Sequence, residues 1–127
     1  MECDTMIVAG FGFASVATAE SLHDVYRRAA RDHFVTALAT ADDKAAHPAL
    51  RTLAAELHVP VLRVEAAVLS AARTLTQSQR SATERGTGSV AEAAALAAAG
   101  PDARLIAPRY ISTDRLATCA VAIGGQT

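Results

Sequence analysis

Five short β-rich runs alternate with stretches of helical period along this chain, and that alternation does most to limit what it can fold into. Residues 6–11 (MIVAGF) form a short apolar run carrying glycine, the pattern of a strand buried on both faces. Ser15 is placed to cap a helix whose apolar positions Val16, Ala19, Leu22, Val25, Tyr26 and Ala29 recur at helical spacing. Residues 33–40 are a second β-rich run. Proline at a first helical turn gives up an N–H that has no partner there, so His47-Pro48 opens a second helix. Leu50, Leu53, Ala54 and Leu57 are its apolar face, and it stops before Pro60. Residues 60–64 predict a third strand, and residues 66–74 a helix. A polar segment, TQSQRSATERGTG, leads into an alanine-rich helix. Residues 105–110 and 116–123 are two further strands, with ISTDR as the hairpin turn between them.

Strands that alternate with helices build βαβ units, hence a sheet covered on both faces. The expectation is an α/β protein: a single three-layer α/β/α domain over residues 1–127, with four helices and a mostly parallel five-stranded sheet. The C-terminal antiparallel hairpin is expected to add one antiparallel edge strand. A chain of 127 residues fills one core and is too short for two.

Connectivity then fixes where the loops fall. The helix after residue 64 starts at the carboxyl end of the third strand and runs back down. If the fourth strand is parallel, the alanine helix also runs downward, and the polar segment before it climbs the sheet. That brings residues 86–89 to the carboxyl edge, beside the turns at residues 10–15 and 42–47. Open α/β sheets place their ligand site at that edge.

Composition excludes several classes of function. No apolar run reaches the roughly 20 residues of a membrane span, and MECDTMIVAG lacks the basic start of a secretory signal. These features point to the cytoplasm and to no membrane partner. Cys3 and Cys119 match no metal-ligand spacing, so two titratable thiols without a disulfide are expected. A net charge of −1, three Phe, two Tyr and no Trp offer neither a basic stripe for phosphates nor a stacking platform, which argues against nucleic acid.

Candidate chemistry gathers at the glycines. Ser89-Val90-Ala91-Glu92 fits a capping box, which accounts for Ser89 and Glu92 without a ligand. Gly86 and Gly88, just ahead of it, let backbone N–H groups approach an anion. Arg80 and Arg85 in the same segment would strengthen a carboxylate or phosphate site. GFGFAS at residues 10–15 is one glycine short of the dinucleotide fingerprint, and Asp42 and Asp43 lie farther along than its acidic partner should, so a tight strand-to-helix turn accounts better for Gly10 and Gly12. Lys44 is a cation in a polar turn on the ligand edge. His23, His33, His47 and His58 form no metal-ligand pattern, and no nucleophile motif is present. No metal, no cofactor and no catalytic residue is therefore assigned.

The stretches ALATADDKAAHPAL, AAELHVPV, GTGSVAEAAALAAAG, LIAPR and LATCAVAI, taken in order, resemble the CobE / CbiG C-terminal family of cobalamin biosynthesis. AGFGFAS is similar to that family's glycine-rich first turn. The resemblance implies a cytoplasmic α/β protein acting on corrin-ring intermediates, in which CbiG opens a ring lactone and releases a two-carbon fragment. It implies a precorrin-type tetrapyrrole as the small-molecule partner, bound as catalyst or carrier in the aerobic pathway. Gly10, Gly12, Lys44, and Thr87, Gly88, Ser89 and Glu92 stand at the family's motif positions, and Arg85 joins them as a ligand candidate. His47 stands where an acidic residue is common, and Arg109 where lysine is common. Two alternatives stay open: an interaction module working with another cobalamin-pathway enzyme, and a small-nucleotide-binding domain using GFG. The alanine helix suits either close approach to a broad flat ligand or simple burial, since a helix apolar all round is a buried one.

Overall fold

The computed structural model describes residues 6–31, 33–65, 67, 88–100 and 103–124. Strand β1 (Ile7–Phe13) leads into helix α1 (Ala19–Ala29), strand β2 (Ala37–Ala41), a 3-10 turn (Asp42–Lys44) and helix α2 (Pro48–Leu57). Strand β3 (Val61–Val64), helix α3 (Gly88–Ala99), strand β4 (Arg104–Ile111) and strand β5 (Ala117–Ile123) follow. Apart from Ala67, which is helical, the helix expected over residues 66–74 lies outside the described residues.

The described strands form one sheet in the order β3-β2-β1-β5-β4. β1 pairs in parallel with β2, and β2 with β3, while β5 is antiparallel to both β1 and β4. The sheet is therefore mixed, which corrects the mostly parallel expectation. The last strand is not an edge: β5 lies inside the sheet, pairing along all of β1 from Ile7↔Ile123 to Phe13↔Ala117, and β4 takes the edge. Its apolar sequence agrees with that position, because a strand buried on both faces has no polar alternation.

Helices α1 and α2 cover one face. Leu22, Val25 and Ala29 of α1 and Leu50, Leu53 and Ala54 of α2 pack with Ala9, Phe11, Leu38, Cys119 and Val121 of the sheet. Burial of each large side chain contributes on the order of 1.5–3 kcal/mol. The cap of α1 is Thr18, not Ser15. Thr18 Oγ1 accepts from the Ser21 N–H at 3.2 Å, and Ser21 Oγ accepts from the Thr18 N–H at 3.3 Å, a reciprocal capping box. Ser15 and Val16 are consumed instead by a turn closed by the Ala17 N–H on Ala14 O, which leaves Val16 70% exposed. Similarly, the expected strand over residues 33–40 starts only at Ala37, and Phe34 is 83% exposed ahead of it.

Helix α3 covers the other face, where Ala94, Ala95 and Ala99 pack on Val8, Ala39, Val64 and Ala122. A Cβ on Gly12 would touch Val90, one on Gly10 would meet Ala91 and Ala95, and one on Gly124 would meet Ala99. The helix thus runs antiparallel to β1, from the carboxyl edge at Val90 to the amino edge at Ala99. Its alanines and the sheet glycines let the two backbones approach directly. The small side chains of this helix are explained by packing.

Candidate functional site

A cleft of about 400 Å3 opens at the carboxyl edge of the sheet. Its base is the end of β1, where Gly12, Phe13 and Ala14 line it. Two threonines secure that end to the neighbouring strands. Thr40 Oγ1 of β2 donates to Phe11 O at 3.0 Å, and Thr118 Oγ1 of β5 donates to Gly12 O at 3.1 Å. Both threonines also line the cleft.

One wall comes from the turn after β2. Asp43 and Lys44 line the cleft, and Lys44 Nζ stands 5.5 Å from the centre of the Phe13 ring, within cation–π range. His47 supports this wall from behind. Its ring meets Phe13 edge-on at 5.0 Å between centroids. Nδ1 accepts the Ala49 N–H at 3.1 Å as the N-cap of α2, so the hydrogen sits on Nε2, which donates to Ser15 O at 2.8 Å. One side chain thereby couples the β1–α1 turn to the start of α2, and both ring nitrogens are committed.

The other wall is the turn between β4 and β5, contributing Arg115 and Leu116, with Ala117 at the start of β5. Val90, in the first turn of α3, closes the rim. The topology accounts for this meeting point. From β1 the chain turns toward β2 and β3, whereas α3 returns it across the opposite face to β4, so the loops diverge around the end of β1.

Of the residues singled out in the sequence, Gly12 and Lys44 line this cleft together. Gly10 does not reach it: it lies within β1, against the α3 backbone. Neither glycine forms a strand-to-helix turn, since β1 continues to Phe13. α3 is described from Gly88 onward, so the N-cap expected at Ser89 borders residues outside the described ones, and Glu92 is completely buried. Arg80, Arg85, Gly86 and Thr87 lie outside the described residues. Sequence reasoning missed Phe13, Thr40, Arg115 and Thr118. The apolar run of β5 was the available signal for Arg115 and Thr118, because a strand without polar alternation belongs inside the sheet and carries its turn there too. Among the described residues, no group of three or more His, Cys, Asp or Glu side chains is arranged to hold a metal ion.

The pattern of the family described as cobalamin synthesis G C-terminus matches residues 7–122. The chain belongs to that family. Its fold matches cobalamin biosynthesis protein chiG from Agrobacterium tumefaciens str. C58 with a TM-score of 0.75 and 34% identity, over 95% of this chain and 100% of that one. CobE, a protein from the cobalamin (vitamin B12) biosynthetic pathway, matches with a TM-score of 0.76 and 29% identity, over 97% of this chain and 93% of that one. A cobalamin biosynthesis protein G homologue from Sulfolobus solfataricus shares the fold at a TM-score of 0.68 and 19% identity. There the match covers 97% of this chain and 38% of that one. No curated protein matches the chain. This member of the cobalamin synthesis G C-terminus family is thus a cobalamin-biosynthesis protein. No helix among its described residues is long and apolar enough to cross a membrane.

Proposed function

We propose that the carboxyl-edge cleft binds a carboxylate-fringed corrin intermediate, a precorrin or a cobyrinic-acid-type compound, as catalyst or carrier. The observation that carries this reading is the pairing of an apolar floor with cations on two sides. Phe13, Ala14, Val90, Leu116 and Ala117 supply apolar surface, while Lys44 and Arg115 stand at the walls to either side of β1. A volume of about 400 Å3 is at the small end for a ligand pocket. A macrocycle of four rings would therefore enter by one edge, ring face on the apolar floor and carboxylates toward the cations.

The nucleotide alternative loses its support here. The space beside Gly10 is filled by α3 and that beside Gly12 by Thr118 and Val90, so the glycines serve helix–sheet packing. The test is a titration with cobyrinic acid followed by corrin absorbance. Binding by the native chain, weakened about tenfold or more in Lys44→Ala with the melting temperature unchanged, is expected. Gly88→Val should weaken it too if the start of α3 closes on the ligand. Absence of binding by cobyrinic acid and by precorrins alike would sink the reading.

A further inference from the structure

The turn that carries Arg115 is held with unusual thoroughness. Asp114 accepts from Ser21 Oγ at 2.5 Å through Oδ2, and through Oδ1 from Ser112 Oγ at 2.6 Å and the Leu116 N–H at 3.0 Å. Ser21 and Ser112 are both buried. Next to it, Asp24 accepts the Thr113 N–H at 2.9 Å and the Thr113 hydroxyl at 3.0 Å, while Arg28 donates to the same hydroxyl at 2.9 Å. Helix α1 thus clamps the tip of the hairpin at consecutive residues.

The residue that emerges from this clamp adopts a left-handed backbone, φ 65°, without being glycine. His58, at φ 59°, does the same for an ordinary reason, since it ends α2 as a left-handed cap. Arg115 closes the β4–β5 hairpin turn, its N–H donating to Ser112 O at 2.9 Å, a left-handed position usually filled by glycine. Glycine would meet the demand of the turn without strain, and strain of this kind collects at functional positions. Arg115 also lines the cleft, across β1 from Lys44. We propose that Arg115 is an anion-binding residue of the cleft, taking one carboxylate of the ligand while Lys44 meets another. Asp114 is the positioning residue that locks the turn so that Arg115 stands at the wall.

This assignment rests on the reading of the cleft as a site for a carboxylated ligand, and the experiment separates the two. Cobyrinic acid and its fully esterified form, which keeps the ring and lacks the charges, are titrated into the native chain and into Arg115→Gly, Asp114→Ala and Asp114→Asn. Arg115→Gly is expected to weaken the acid about tenfold to a hundredfold, to leave the ester unaffected, and to melt at the same temperature or higher. Asp114→Ala should likewise weaken the acid more than the ester. Asp114→Asn, which keeps an acceptor for the Leu116 N–H, should recover most of the loss. Equal acid affinity in the native chain and Arg115→Gly overturns the role of Arg115. Equal losses toward acid and ester in Asp114→Ala reduce Asp114 to a structural residue and overturn its positioning role. If the native chain binds neither form, the reading of the cleft fails and this assignment falls with it.

Discussion

Gly10 and Ala95 meet backbone to backbone: a methyl group on Gly10 would lie 2.5 Å from the Ala95 nitrogen and 2.9 Å from its Cβ, with Ala91 O closer still. None of these atoms is the end of a flexible side chain, so relief requires α3 to lift off the sheet. Gly10→Ala is expected to cost about 1–3 kcal/mol or more. Gly12→Ala meets Thr118 Oγ1 at 3.1 Å and Val90 Cβ at 3.2 Å, which can adjust. It should cost less than about 1 kcal/mol and act mainly on ligand affinity, since Gly12 lines the cleft. Urea unfolding of the two variants checks the order; equal costs would mean that α3 is not pinned at Gly10.

His47 joins two elements through one ring, and its replacements should separate the two bonds. His47→Ala loses the acceptor for the Ala49 N–H and the donor to Ser15 O together, and a lost N-cap costs about 1 kcal/mol. His47→Asn and His47→Asp restore a capping acceptor and should regain most of the stability. The outcome to look for in denaturant titrations is Ala as the only strongly destabilised variant. If Asn is as unstable as Ala, the Ser15 bond carries the effect.

The clamp on the β4–β5 turn should release in acid. Hydrogen bonds from Ser112, Ser21 and the Leu116 N–H hold the Asp114 carboxyl below its ordinary value of 3.8, and those from the Thr113 N–H and hydroxyl, helped by Arg28, do the same for Asp24. A carboxylate with a depressed folded-state pKa stabilises the fold in its charged form. That contribution is whole above about pH 3.8 and is lost as pH falls through the lower folded values. Native chain should therefore lose melting temperature more steeply below pH 4 than Asp114→Asn does. Parallel profiles would show that Asp114 does not couple the turn to pH.

Much of this arrangement is legible in the sequence. The downward course of the alanine helix follows from strand direction alone, and Gly12, Gly10 and Gly124 against Val90, Ala95 and Ala99 agree with it. The same logic puts Gly12 and Lys44 on one edge, and they share the cleft. The position of β5 was not legible in the same way. A hairpin fixes which strands are joined but not which of them inserts beside β1, and that choice puts Arg115 and Thr118 at the site. The cap of α1 escaped for a local reason: Ser15 and Thr18 are both good caps, and the turn closed on Ala14 O selects the later one.

Cys119 is a free thiol that the fold shields. It is fully buried on β5 between the sheet and α1, and burial raises its pKa beyond the ordinary thiol range. In a Cys3→Ser variant, a thiol-specific chromogenic reagent should give no reaction with the folded chain at pH 8 and one equivalent after unfolding in guanidinium. Rapid modification of the folded chain would place Cys119 nearer solvent than the fold does.

The insertion of β5 beside β1 also bears on the order of assembly. Ile7 pairs with Ile123 and Phe13 with Ala117, so the innermost seam joins nearly opposite ends of the described chain. Until β5 is synthesised, β4 has no strand to pair with and β1 lacks one of its two neighbours. On a ribosome the three parallel strands would wait with one open flank, and loop closure over such a span slows folding. Arg115, Leu116 and Ala117 of the cleft therefore take their places only when β5 inserts, so the cleft is incomplete on a nascent chain until the sheet has closed.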